Sequence, residues 1–171
     1  MSLINYITQI QFDIGAIACL PAECERIGIT RPLIVTDRGV RAAGIVDTAL
    51  NTFGSTTAQL PIYDGTPPNP NEHAVREAVA MFKAYGCDGI IAIGGGSAID
   101  LAKGVAVCAR HDGPLKGFAV IEGGLARITP ATAPVIAVPT TAGTGSEVGR
   151  GAILILDDGR KVGVISPHVV P

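Results

Sequence analysis

The 171-residue sequence has little charge and few aromatic side chains. It contains no tryptophan and 16% charged residues, and its 13 Lys and Arg nearly balance its 15 Asp and Glu. Without a basic stripe, nucleic acid and anionic membranes are poor partners. Apolar runs such as residues 90–93 are far shorter than the roughly 20 residues that cross a membrane, and no secretion signal is recognisable. We therefore expect a cytoplasmic protein without nucleic-acid or membrane partners.

Several common site motifs are missing as well. The sequence has no Gly-Lys dipeptide of a Walker A loop, no GxSxG elbow and no HExxH helix. Its four cysteines form no CxxC pair, so we expect buried thiols that behave as small apolar residues, in keeping with a reducing compartment. The three histidines stand singly, and we expect surface or capping roles for them. No metal ligands are predicted within this chain.

What is present is an alternation of short apolar runs and helical patterns, with 47% hydrophobic residues and 22 glycines. This alternation predicts an α/β fold, a Rossmann-like and mostly parallel sheet with helices on both faces. In such sheets ligands bind beyond the carboxyl ends of the strands. Residues 112–132 are predicted to form a long surface connection. Strands are predicted at 7–12, 33–36, 90–93, 135–138, 153–156 and 162–165, and helices at 17–27, 40–53, 71–85 and 98–110.

A run of three glycines follows the strand at 90–93. Gly94, Gly95 and Gly96 let the backbone turn sharply and approach a ligand, and the next helix offers unpaired amides to an anion. Ser97 could cap that helix or bond a phosphate oxygen, and Asp100 is placed as an acid of its first turn. A close-packed turn without a ligand is an equally good interpretation of the glycines.

Two further strand ends carry polar residues. The segment 139–147 follows an apolar strand and is rich in hydroxyls and glycines, which suits recognition of ribose, phosphate or carboxamide. The alternative is a turn that bonds its own backbone. Asp37 ends the strand at 33–36, where a carboxylate can accept the hydroxyls of an adenosine ribose and repel a 2′-phosphate. Its alternative role is the N-cap of the following helix.

Together these segments resemble a known family. Residues 94–103, GGGSAIDLAK, resemble the GGGSxxDxAK signature of iron-containing (group III, metal-dependent) alcohol dehydrogenases, and residues 139–148, PTTAGTGSEV, resemble that family's second loop. The order of the opening strand, Asp37 and the Pro68-Asn69-Pro70 segment also matches. The resemblance spans essentially the whole chain.

The resemblance implies a dinucleotide-binding domain over residues 1–171 of an NAD(H)-linked enzyme that transfers hydride to or from a small alcohol or aldehyde. It implies that Asp37 binds the adenosine ribose and selects NAD, and that Gly95, Gly96 and Ser97 hold the pyrophosphate. A homo-oligomer paired through residues 4–12 is also implied. The remaining cofactor-binding residues that it implies are Asn69, Asp100, Thr140, Thr141, Thr144 and Lys161.

Two features depart from the family pattern. Gly149 stands where the family has a threonine. The ligands of the family's divalent metal, Fe²⁺ or Zn²⁺, belong to a helical domain that would follow Pro171. We therefore expect the front part of a longer two-domain protein, which alone binds cofactor without turning over alcohol. The alternatives are a reductase of the same fold, of the maleylacetate reductase or glycerol dehydrogenase type, and a nucleotide-binding module without catalysis.

Overall fold

A four-stranded parallel sheet forms the centre of the chain. The computed structural model describes residues 2–5, 8–54 and 60–171. The sheet has the order β4-β3-β5-β6, and two antiparallel pairs, β1-β2 and β7-β8, lie outside it. In chain order the elements are β1 (Ser2–Asn5), β2 (Gln9–Phe12), α1 (Leu20–Arg26), β3 (Pro32–Val35), α2 (Arg38–Ala42), α3 (Ile45–Leu50), β4 (Ile62–Tyr63), α4 (Glu72–Ala84), β5 (Gly89–Gly94), α5 (Gly96–Cys108), β6 (Val135–Pro139), β7 (Gly151–Ile155) and β8 (Lys161–Ile165).

The two central strands are apolar on both sides. Every residue of β3 and β5 is buried, as expected for parallel strands that are covered on both faces. Leu33, Val35 and Ile90 pack with α4 and α5, whereas Ile34 and Ile91 pack with α1 and α3. The predicted Rossmann-like sheet with helices on both faces is therefore confirmed.

The strand order creates a crevice at one edge of the sheet. Strand β3 is the first parallel strand, and it pairs with β4 on one side and β5 on the other. From β3 the chain runs to β4 on one side of β3, and it then crosses to β5 on the other side. Open parallel sheets bind nucleotides at such a crossover point, beyond the carboxyl ends of the strands. Any ligand site is expected between the ends of β3 and β5.

The two long helices agree with the sequence analysis to within two residues. Helix α4 begins after Asn71, whose side chain accepts a hydrogen bond from the amide of Ala74 at 2.9 Å and caps the helix. Helix α5 is buried on almost every side because the β7-β8 pair covers the surface that the sheet leaves open. Among the described residues, no helix is both long and apolar enough to span a membrane.

Several predicted elements differ from the structure. The helix predicted at 40–53 is two helices, α2 and α3, because Gly44 adopts a left-handed conformation with φ +74° between them. The predicted helix at 17–27 begins with a 3-10 turn, Ala16–Cys19, before α1. The predicted strand at 7–12 is β2, residues 9–12, and residue 7 lies outside the described part. The short strand β4 was not predicted, since two residues carry no periodicity.

The prediction for 112–132 was wrong in part. This segment holds three 3-10 turns, Leu115–Phe118, Val120–Glu122 and Gly124–Arg127, and it buries Leu115, Phe118 and Ala119 in the core. The strands predicted at 153–156 and 162–165 form the antiparallel hairpin β7-β8, which packs on α5 instead of joining the sheet. Gly104 permits this contact, because a Cβ there would lie 2.8 Å from Leu154.

Candidate functional site

Two adjoining clefts lie at the carboxyl edge of the sheet. The first, of about 440 Å³, runs from Asp37 and Asp64 to Ser97, and we call it the Asp37 cleft. The second, of about 160 Å³, is lined by Asn69, Asp100 and Lys161 among others, and we call it the Lys161 cleft. Ser97 and Pro68 line both clefts, so the two clefts meet at these residues. We call the two clefts together the groove. A third cavity, of about 410 Å³, lies at the far end of α5 and contains none of the predicted site residues.

The glycine turn, residues 94–97, forms the centre of this groove. Gly94 has φ +157°, and a Cβ there would lie 2.7 Å from the Cβ of Ala98 and 3.6 Å from Oδ2 of Asp37. No larger residue fits at this position without displacing one of these neighbours. Helix α5 begins at once, with Gly95 as its N-cap and no side-chain cap. Its first amides therefore have no intrahelical partner. Gly96 and Ser97 line the groove, at the positive end of the helix dipole.

The predictions for Ser97 and Asp100 as helix-end residues were wrong. The Ser97 hydroxyl donates a hydrogen bond to the carbonyl of Pro68 at 2.6 Å, so it ties the glycine turn to the loop after β4. Helix α5 has no acidic residue in its first turn; Asp100 is its fifth residue. The carboxylate Oδ2 of Asp100 accepts from the amide of Ile153 at 3.0 Å. Its Oδ1 is buried without a hydrogen-bond partner in the described part of the chain.

Asp37 fulfils the capping role that was its alternative. Its Oδ1 accepts from the amide of Val40 at 2.9 Å and caps α2. Among the described residues, Oδ2 takes part in no hydrogen bond, and it lies on the Gly94 side of the cleft. One carboxylate can thus hold the start of α2 and still present its second oxygen to a ligand.

The segment between β6 and β7, residues 140–150, is named the hydroxyl loop. The amide of Thr140 donates to the carbonyl of Gly94 at 2.9 Å. A Cβ on Gly95 would lie 3.1 Å from Oγ1 of Thr141, and one on Gly96 would lie 3.2 Å from the Cβ of Thr144. The glycines therefore also serve the close packing of these two segments. Part of the loop bonds itself, since the amide of Ser146 donates to Oγ1 of Thr144 at 3.4 Å.

The predicted site residues thus divide into two groups. One group lines the two clefts: Asp37, Asn69, Gly96, Ser97, Asp100 and Lys161. The other lines neither cleft and lies where the glycine turn meets the hydroxyl loop: Gly95, Thr140, Thr141 and Thr144.

Sequence reasoning missed the role of Lys103. It is fully buried in α5, and its ammonium donates to the carbonyls of Ser146, Gly149 and Gly151 at 2.6, 2.7 and 2.9 Å. Burial lowers the pKa of Lys103 to about 8, although the negative charges of Asp100 and Glu147 act to raise it. A signal was available, because Lys103 is the one charged residue in the otherwise apolar stretch 101–109.

A second missed feature is the pair formed by Asp64 and Arg41. Asp64 follows β4 and lines the same cleft as Asp37. The guanidinium of Arg41, on α2, lies 2.5 Å from its Oδ2. The cleft therefore carries two carboxylates, and the cation nearest to one of them is already paired. Since β4 was not predicted, nothing in the sequence indicated that Asp64 would share a cleft with Asp37.

Comparison with known proteins decides the family. Residues 8–171 match the sequence model of a family described as iron-containing alcohol dehydrogenase. The chain belongs to this family. A 4-hydroxybutyrate dehydrogenase of Cupriavidus necator is 57% identical over 171 residues, which are 100% of this chain and 44% of that protein.

Solved structures of the family agree with the fold. A crystal structure of a 1,3-propanediol oxidoreductase has a TM-score of 0.83 and 36% identity, and the match covers 91% of this chain and 40% of that one. A sulfoacetaldehyde reductase from Bifidobacterium kashiwanohense, solved in complex with NAD⁺, has a TM-score of 0.81 and 26% identity, with 92% and 41% covered. The chain thus spans less than half the length of these relatives.

The described residues offer no metal centre. Across residues 2–5, 8–54 and 60–171, no three His, Cys, Asp or Glu side chains are grouped so that they could hold an ion. The described residues therefore do not fit the divalent metal that the family name implies. The groove, in contrast, offers amides, carboxylates and a buried polar oxygen without a partner, which are groups that bind a dinucleotide.

Proposed function

We propose that this chain is the NAD(H)-binding part of an iron-containing alcohol dehydrogenase, which transfers hydride between the nicotinamide and a small alcohol or aldehyde. The observation that carries the proposal is the crevice between β3 and β5, where Oδ2 of Asp37 faces the glycine turn at the start of α5. A ribose carboxylate beside an anion-binding helix start is the pair of contacts that a dinucleotide requires. Family membership and a relative solved with NAD⁺ support it.

In this proposal the cofactor lies along the groove. Asp37 accepts the hydroxyls of the adenosine ribose, and the amides of Gly95, Gly96 and Ser97 hold the pyrophosphate. The nicotinamide half then occupies the Lys161 cleft, in reach of Asn69, Asp100 and Lys161. Thr140, Thr141 and Thr144 border the glycine turn and contact the cofactor from the hydroxyl loop. The unpartnered Oδ1 of Asp100 gains a hydrogen bond when the groove is filled.

The nicotinamide supplies the hydride chemistry, and the chain binds and orients it. The substrate of this chain belongs to the small alcohols and aldehydes, as the names of its relatives indicate for those proteins. Because the described residues hold no group of metal ligands, we propose that the 171 residues alone bind NADH without oxidising alcohols.

The test is titration of the chain with NADH and, separately, an assay of alcohol oxidation with Fe²⁺ or Zn²⁺ added. We expect saturable binding of one NADH per chain and no turnover. A chain that binds no NADH contradicts the cofactor proposal. If the chain binds NADH and also oxidises alcohol, the cofactor proposal stands and only the expected lack of turnover is wrong.

We also propose a cytoplasmic homo-oligomer. Strand β2 pairs with β1 outside the main sheet. Phe12, the last residue of β2, is 70% exposed, and Ile14 just after the strand is 102% exposed. An open strand edge with apolar neighbours favours pairing with a second copy. Cys24, Cys87 and Cys108 form no disulfide, and cysteines without disulfides are usual in a reducing compartment. Sedimentation of the chain and of Phe12→Ser would test the oligomer, which the substitution should weaken.

A further inference from the structure

The environment of Lys103 is unusual for a lysine. Its side chain is fully buried between α5 and the hydroxyl loop, where charged groups are rarely placed. An ammonium has three N–H groups, and each of them meets one carbonyl, those of Ser146, Gly149 and Gly151. The donor capacity of the side chain is therefore fully used. We call this arrangement the Lys103 clamp.

Two of the three carbonyls of the clamp belong to the hydroxyl loop, a segment with little regular structure of its own. The hydroxyl loop contains Gly143 and Gly145, both with positive φ, +91° and +71°, and glycines leave a backbone its greatest freedom. Its internal backbone bonds are few, from the amides of Val148 and Gly149 to the carbonyl of Gly145. The clamp binds the loop at Ser146 and Gly149 and binds the first residue of β7 at Gly151, while the Thr140 amide holds the start of the loop on the glycine turn.

The clamp also connects the loop to the groove. Asp100 lies one helical turn before Lys103 on α5, and Glu147 lies on the loop. The negative charges of these two carboxylates favour the charged ammonium and raise the pKa of Lys103. Asp100 in turn accepts from the amide of Ile153 on β7 and keeps Oδ1 buried at the groove. Lys103 is thus linked by hydrogen bonds to the loop and to β7, and by charge to a groove carboxylate.

We propose that Lys103 is a positioning residue for the cofactor site: it fixes the hydroxyl loop against the glycine turn, and so sets nucleotide affinity without touching the nucleotide. The effect of Lys103 on nucleotide affinity rests on the proposed NAD(H) binding. Its effect on the hydroxyl loop does not, because that effect concerns how well residues 140–150 are held in place in the chain without ligand.

The first experiment compares Lys103→Met with Lys103→Arg and with the exposed control Lys116→Met. Amide hydrogen exchange of the ligand-free proteins reports the loop, and NADH titration reports affinity. For Lys103→Met we expect faster exchange confined to residues 140–151 and an affinity loss of about tenfold, because three partly buried carbonyls lose their donor. Lys103→Arg keeps a charged donor and should recover part of both. Lys116→Met should behave as wild type.

A pH series keeps the proposal testable if Lys103→Met does not fold. The pKa of Lys103 is about 8, and the neutral amine has one N–H fewer, so one carbonyl of the clamp loses its partner as the pH rises through that value. Wild-type affinity for NADH should therefore fall between about pH 7 and 9.5, whereas Lys103→Arg, which stays charged, should show a flat profile. The thiols of Cys24 and Cys108 stay protonated throughout, because burial raises their pKa to about 11 and 12.

The outcomes separate the two proposals. If a folded Lys103→Met shows wild-type exchange in the hydroxyl loop, the clamp has no positioning role. If exchange rises but NADH affinity is unchanged, or if wild type and Lys103→Arg share one pH profile, the link to the cofactor is overturned. If wild type itself binds no NADH, the proposed function fails, while the exchange data still decide whether Lys103 orders the loop.

Discussion

The glycine turn and the hydroxyl loop lie side by side, at the ends of the neighbouring strands β5 and β6, but they are held in place by different means. The turn is defined by its own residues: a strand end, an N-cap glycine and a helix start follow one another within four positions. The hydroxyl loop is held by a lysine that precedes its carbonyl partners by 43, 46 and 48 residues. One segment is shaped locally, and the other is shaped by the fold.

Because they are held differently, the glycine turn and the hydroxyl loop should be sensitive to different substitutions. A locally defined turn fails when a side chain is added to it, because its backbone has no room. A loop held from outside fails when its distant support is removed or loses a proton. We therefore expect the turn to respond to added volume and the loop to respond to lost charge.

The largest effect is expected from Gly94→Ala in the turn. The new Cβ would lie 2.7 Å from that of Ala98, at a φ of +157° that side chains rarely adopt. Such crowding costs about 1–3 kcal/mol of unfolding free energy, and we expect NADH affinity to fall at least about tenfold as the first turn of α5 shifts. Urea unfolding and NADH titration measure both.

Gly163→Ala in β8 is the matched control for this change. Its Cβ would meet only ordinary contacts, at 3.5 Å or more from Ile165. If Gly94→Ala proves as stable as Gly163→Ala and binds NADH as wild type does, the turn does not depend on close approach, and the contrast with the loop is lost.

The same contrast explains how much could be predicted from the sequence. The strands β3 and β5 and the helices α4 and α5 were predicted because their apolar periodicity is local. The glycine turn could be predicted as a candidate site because its glycines are consecutive in the sequence. The contacts of Lys103 and the placement of Asp64 in the same cleft as Asp37 depend on packing between segments that are far apart in the chain. No local sequence pattern indicates such packing. The break at Gly44 was missed because a single left-handed glycine interrupts a pattern that is otherwise helical on both sides.

A smaller effect is expected at the other end of the groove. Asp37→Asn keeps a side-chain oxygen that can cap α2 but removes the charge that repels a 2′-phosphate. We expect affinity for NADPH relative to NADH to rise about tenfold, or ~1.4 kcal/mol. Adding Asp64→Asn should raise the ratio further, because Arg41 then loses its partner and can meet the phosphate.

The control for these changes is Asp158→Asn. Asp158 is an exposed carboxylate that pairs with Arg160 and lines neither cleft. Paired titrations with NADH and NADPH give the ratio for each variant. If the NADPH-to-NADH affinity ratio of the double variant is unchanged, the Asp37 cleft does not hold the adenosine ribose. That result would contradict the proposed orientation of the cofactor in the groove.

The smallest effect is expected from Ser97→Ala, which removes the one side-chain hydrogen bond between the turn and the loop after β4. The Pro68 carbonyl is exposed and can bond water instead, so the loss should be about 0.5–1 kcal/mol, or two- to fivefold in NADH affinity. Thr48→Val removes a comparable bond to the carbonyl of Gly44, far from the groove, and should leave affinity unchanged. A loss at Ser97 as large as that of Gly94→Ala would show that the turn is not self-sufficient, and that it depends on outside support as the hydroxyl loop does.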